Sequence, residues 1–189
     1  YDLERYTNAV MDVMAVNRYY SPQHSGPNNG WRIEPRHKYV GASVLGRPNK
    51  LPLNIKQVHQ KPFMVTESGW NLPHKYQAEG PFLVSAYMSL TGVDSYYWFN
   101  PSAKGYDREP YFTFTQVDGN YPMHRWTVSI PGQMGMFPAN ALMYRQGYIQ
   151  QGQTMVHEKR PLETLFEREV PIISENNSFD PNRDSGNPT

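Results

Sequence analysis

KPFMVTESGW, residues 61–70, decides how this chain is read. After Pro62, an apolar and β-branched run over 63–66 opens onto Glu67, Gly69 and Trp70, the pattern of a buried strand with a polar mouth. The same theme occurs on both sides of it. Upstream, MDVMAVNRYY begins with an apolar stretch that predicts a strand over 11–17 and ends in Asn17, Tyr19 and Tyr20. Downstream, GVDSYYWFN predicts a third strand with aromatic residues at its end.

Between the second and third strands, EGPFLVSAYMSLTG has Phe82, Ala86, Tyr87 and Leu90 at helical spacing. Pro81 is tolerated in a first turn and Gly92 is suited to the exit. The order strand, loop, strand, helix, strand implies an α/β protein with parallel strands and crossover connections. SPQHSGPNNGWRIEP, residues 21–35, is rich in Pro, Gly and Asn and predicts a long loop leaving the first strand. The first ten residues are expected to finish a helix, with Leu3, Tyr6 and Val10 on about one face. FPANALMYRQG and RPLETLFER predict two further helices. The polar SENNSFDPNRDSGNPT predicts a linker or the start of another domain, so the boundary falls between 1–170 and 171–189.

With 189 residues, 38% hydrophobic and 19% charged, the chain has the composition of a folded domain. Eighteen basic against seventeen acidic side chains give no broad field for nucleic acid or an anionic membrane. A neutral partner fits better. Aromatics are 14% of the chain, and such rings serve equally in cores and as platforms for the C–H faces of sugars. The absence of cysteine excludes disulfides and thiolate chemistry. No apolar run approaches the length of a membrane span, and YDLERYTNAV lacks the pattern of a signal peptide.

The pair VNRYYSP and KPFMVTESGW resembles the sixth and seventh strand ends of clan A glycoside hydrolases, especially β-glucuronidases and β-galactosidases. FPANALMYRQGYI is similar to the last barrel helix of β-galactosidase-like members, so the likeness covers most of residues 11–150. It implies the C-terminal portion, about strands six to eight, of a (β/α)8 TIM barrel. The activity it implies is retaining hydrolysis of β-glycosidic bonds in an oligo- or polysaccharide. In that family an Asn-x-Tyr segment precedes a Thr-Glu-x-Gly segment whose Glu is the nucleophile. The resemblance therefore gives the nucleophile's role to Glu67 and a supporting catalytic role to Tyr19, with Asn17 nearby. Trp98 takes the place of the tryptophan that floors the sugar site, and Trp70 is a second candidate for stacking on substrate.

A retaining glycosidase needs two carboxylates about 5 Å apart and no cofactor. Glu67 supplies one. The family's acid/base Glu follows an Asn at the fourth strand, ahead of Tyr1, so the expected partner is the N-terminal part of the barrel as well as a carbohydrate. The competing class is a non-catalytic carbohydrate-binding protein on a degenerate barrel. The connection of about 40 residues between the first two strands is longer than α/β units use.

Other features carry blander readings. The six histidines are scattered without the i, i+4 spacing of a helical zinc pair, which predicts surface or loop positions and no metal site. Glu79 stands at a helix start, where its charge meets the dipole, and its mutation is expected to be mild. DPNRDSG has the alternating oxygen donors Asp180, Asn182 and Asp184 of a calcium loop, but its Gly comes one place late. Asn176-Asn177-Ser178 is a formal glycosylation sequon.

Overall fold

A computed structural model describes residues 2–27, 29–30, 32–100 and 123–175. In chain order the elements are α1 (Asp2–Asn8), β1 (Met14–Tyr20), β2 (Gln23–Ser25), β3 (Arg32–Ile33), β4 (Lys38–Val40) and β5 (Phe63–Trp70). They continue with α2 (Glu79–Thr91), β6 (Ser95–Trp98), β7 (Met123–His124), α3 (Pro131–Met134), α4 (Phe137–Arg145) and α5 (Leu162–Phe166). Strands β1, β5 and β6 form a parallel sheet in the order β1-β5-β6. Two short antiparallel pairs, β2 with β4 and β3 with β7, accompany it. The trio of strands and the helix between the last two agree with the sequence expectation.

The first strand sits three residues later than expected. Met11, Asp12 and Val13 are exposed, while pairing with β5 carries the ladder from Met14 through Tyr19 and Tyr20. Composition favoured the apolar half of the segment; the hydrogen-bonding partner selects the other half.

One face of the sheet is covered. Met14, Tyr20, Phe63, Val65 and Trp70 form its core with Leu83 and Val84 of α2 and with Val44, Leu51 and Leu53 of the β1–β5 connection. That connection is a loop in backbone but a layer in function. Two 3-10 turns, at Val44–Gly46 and Pro48–Lys50, bring apolar side chains under β1 where an α/β unit normally places a helix.

Helix α2 is rotated from its expected face. Leu83, Val84, Tyr87 and Met88 pack on the core, whereas Phe82 and Leu90 are exposed. Apolar residues lie all round this helix, so periodicity alone cannot select the inward side. Gly80 selects it: a Cβ there would lie 2.8 Å from the Trp70 ring, so the first turn reaches the indole only because that carbon is missing. Gly92, at φ 67°, ends the helix in the left-handed conformation expected of it. Helix α4 begins at Phe137 and packs on α2. RPLETLFER yields only five helical residues.

Glu79 does more than face a helix dipole. Its carboxylate accepts from Ser43 Oγ at 2.7 Å and Val44 N–H at 2.8 Å, tying α2 to the connection that completes the core. Helix electrostatics, on which a mild mutation is expected, does not include this tether.

At the opposite end of the chain, Glu175 contacts Arg5 at 2.6 Å and accepts from the Lys56 N–H at 2.7 Å. The segment expected to be a linker is thus held against α1 at least to this residue, while Leu3, Tyr6 and Val10 remain exposed. Asp2 joins the same cluster through Arg5, Lys56 and Arg160. Burial alone raises the Asp2 pKa, but hydrogen bonds from Lys56 and Arg160, the Lys56 charge and Arg5 outweigh it and hold the carboxyl at about 2 against 3.8. A depressed carboxyl contributes stability that is complete above pH 4 and is lost as pH falls toward 2. Thermal unfolding at pH 5 and pH 2.5 should therefore show a smaller acid-induced loss for Asp2→Asn than for the wild type. Equal losses would remove Asp2 from the account. The calcium-like loop and the sequon lie outside the described residues.

Candidate active site

The carboxyl ends of β1, β5 and β6 carry the candidate residues, and a single extra residue in β5 arranges them. Val16 pairs with Val65, but the next residue, Asn17, pairs with Glu67. On the other side Tyr96 pairs with Val65 and Trp98 with Ser68, so β5 again spends three steps where its neighbour takes two. Thr66 and Glu67 form a bulge in the central strand. Strict alternation from Phe63 and Val65 would turn Glu67 into the covered core. The bulge resets the alternation and puts it on the open face, the re-aiming that bulges near functional sites provide.

On that face the Tyr19 hydroxyl donates to Glu67 Oε2 at 2.7 Å. Tyr19 is buried, whereas Glu67 is partly exposed, so a solvated carboxylate is held by a fixed donor. A hydrogen bond to a charged acceptor is among the stronger ones and orients the group as well as binding it. Asn17 and Thr66 are exposed beside the pair, and Thr66 Oγ1 donates to Asn17 Oδ1 at 2.7 Å. The structure thus brings together Glu67, Tyr19 and Asn17.

It does not bring the two tryptophans to them. Trp70 is 1% exposed; its ring packs near Tyr20 at 5.7 Å and Trp98 at 6.1 Å. A ring enclosed in the core cannot also lie under a sugar, so Trp70 is corrected to a core residue. Trp98 alternates with Tyr97 along β6 and falls on the covered side, against Tyr96, Trp70 and Phe137. Along β6 and the residue after it, the aromatic residues on the open side with Tyr19 are Tyr97, which is 53% exposed, and Phe99, whose ring meets Tyr19 edge-on at 6.4 Å. Phe99 N–H donates to Ser68 O at 2.8 Å, which extends β6 toward the mouth. Gly69 makes room for it, since a Cβ there would lie 3.3 Å from Phe99 O. Alternation counted from Tyr96 puts Tyr97 and Phe99 on the open side, a phase that ring size does not carry.

Around the mouth, buried polar groups hold the loops. Arg125 donates to Gly30 O at 3.0 Å and Leu72 O at 3.4 Å, joining the loops after β1 and β5 to the segment after β7. Asn71 donates to Ser21 Oγ at 2.9 Å across the ends of β1 and β5. Gln133 of α3 donates to Trp70 O at 3.2 Å. Trp126 is also buried, and Trp31 lies outside the described residues.

Two histidines are buried: His24 in β2 departs from the expected surface or loop position, while His74 lies in a loop but is enclosed. His24 is buried and its Nε2 lies 2.8 Å from His37 Nδ1. His74 is buried against the Tyr20 ring, its Nδ1 accepts from Tyr76 N–H, and burial pushes its pKa down to about 4 despite the opposing charge of Glu79. At neutral pH it is an uncharged core group. Among the described residues no three His, Asp or Glu side chains are grouped to hold a metal. No helix of the described residues is long and apolar enough to cross a membrane.

Carboxylates with assigned contacts are engaged elsewhere: Glu79 with Ser43 and Val44, Asp94 with Phe63 N–H at 2.7 Å, and Asp2 and Glu175 in the ion cluster. Among the described residues the site presents one oriented carboxylate, a phenol, an amide and a hydroxyl. Comparison with protein-family models, curated proteins and solved structures finds no match to this chain.

Proposed function

We propose that this chain is the C-terminal part of a (β/α)8-barrel enzyme that hydrolyses β-glycosidic bonds with retention, with Glu67 as the nucleophile. The observation that carries the reading is the bulge at Thr66 and Glu67, which turns the carboxylate of β5 out of the core and onto the Tyr19 hydroxyl. A structural ion pair would need no such device. The strand order β1-β5-β6, all parallel with the candidate residues at the carboxyl ends, is compatible with three consecutive barrel strands.

In this mechanism a Glu67 oxygen attacks the anomeric carbon as the glycosidic C–O bond breaks, and the departing oxygen takes a proton from a second carboxylic acid. Water then attacks the glycosyl ester, the second carboxylate takes its proton, and Glu67 is released as carboxylate. Tyr19 holds one oxygen so that the other faces the sugar. Phe99 and Tyr97 supply the apolar wall for the ring. The second carboxylate and the remaining strands come from the N-terminal part of the barrel.

A panel of 2-deoxy-2-fluoro glycosides with activated leaving groups tests this directly, because such groups depart with little acid assistance. Incubation with the intact protein should give a covalent adduct that peptide mass spectrometry places on Glu67. An adduct on another residue overturns the assignment. Sugar binding without any adduct favours the competing reading, a carbohydrate-binding protein on a barrel that no longer completes its carboxylate pair.

A further inference from the structure

Thr66 occupies the extra position of the bulge, and its side chain is exposed. Its hydroxyl oxygen lies 2.7 Å from Asn17 Oδ1 and 3.3 Å from Val16 O. A hydroxyl has one hydrogen to give, and the nearer acceptor takes it. With Oδ1 so engaged, the two Nδ2 hydrogens of Asn17 turn away from Thr66. Asn17 is the cross-strand partner of Glu67, so its amide stands next to that carboxylate on the same face.

Resting on the glycosidase reading, we propose that Thr66 is a positioning residue for substrate recognition. Its hydroxyl fixes the Asn17 amide so that Nδ2–H donates to a hydroxyl oxygen of the sugar bound at Glu67. The two groups are complementary: a carboxylate accepts from a sugar hydroxyl and an amide donates to one, so together they select a ring bearing a hydroxyl near the bond to be cleaved. Without Thr66 the amide turns freely and presents its carbonyl as often as its donors. The bulge thus has two products, the outward Glu67 and the residue that orients its neighbour.

The test uses the intact protein and an aryl glycoside whose 2-fluoro analogue labels Glu67. Thr66→Val keeps the shape and removes the hydroxyl. It should lower kcat/KM about tenfold, the scale of one hydrogen bond, while leaving the labelled residue and the unfolding temperature unchanged. Thr66→Ser should restore most of the loss. Added to Asn17→Ala, the Val substitution should cost nothing further, because the group it orients is gone. Unimpaired Thr66→Val, or a full loss that persists in the Asn17→Ala background, overturns the inference while leaving Glu67 in place. If the wild type labels at another residue, the nucleophile reading falls and this inference falls with it.

Discussion

Glu67→Gln should lower turnover of a β-glycoside by roughly 10⁴-fold or more, the scale on which removal of one member of a catalytic unit is felt. The amide is close in shape to the carboxylate and still offers an oxygen to the Tyr19 hydroxyl, so the hydrogen bond at 2.7 Å has a neutral replacement and the sheet is undisturbed. What it lacks is the negative charge and the ability to form an ester with the anomeric carbon. Sugar binding should persist within a few-fold, since in the proposed site recognition rests on Asn17, Tyr97 and Phe99 as well. Steady-state kinetics and direct binding measured on one preparation separate these effects. Glu67→Gln with wild-type turnover would sink the nucleophile assignment; loss of turnover together with loss of fold would make Glu67 structural.

The comparison with Tyr19→Phe gives the prediction its grain. Removing the phenolic oxygen takes away an orienting donor but leaves the nucleophile, so the loss should be far smaller than that from Glu67→Gln. A charged hydrogen bond is worth about 1.5–3 kcal/mol, or roughly one to two orders of magnitude in rate. The gap between the two variants distinguishes the atom that reacts from the atom that aims it.

Much of the architecture was written plainly in the chain. Proline and glycine punctuate KPFMVTESGW and EGPFLVSAYMSLTG, so a strand and a helix had visible limits, and the succession of elements implied parallel pairing. The buried face of α2 was hidden because its apolar residues surround the axis, and the deciding feature is the approach of Gly80 to an indole from another element. The core role of Val44, Leu51 and Leu53 was hidden for the opposite reason: they are spaced by Gly and Pro without any period. A bulge has no compositional signature at all. Read as an unbroken strand, Phe63, Val65 and Glu67 share one face; only the pairing on both sides reveals that Thr66 is the extra residue. Composition is equally silent on which of Tyr97, Trp98 and Phe99 faces the site, because that depends on the phase of alternation.

Trp70→Ala is the variant on which that distinction turns, and its expected effect is on stability. Truncating a fully buried Trp to Ala costs about 3–5 kcal/mol through lost transfer energy and the cavity left behind. For a protein of this length that corresponds to a fall in Tm of roughly 6–20 °C. The site cannot collapse easily, because the ring sits between Tyr20, Trp98 and the first turn of α2, and each is held by its own element. Trp70→Phe should be much milder. The indole Nε1 is buried without a hydrogen-bond partner among the described residues, so removing that N–H relieves a desolvation penalty while most of the ring volume stays. Phe99→Ala makes the counterpart on the open face, weakening substrate binding with a smaller stability loss. If instead Trp70→Ala unfolds at the wild-type temperature and loses only sugar binding, the indole belongs to the site and not to the core.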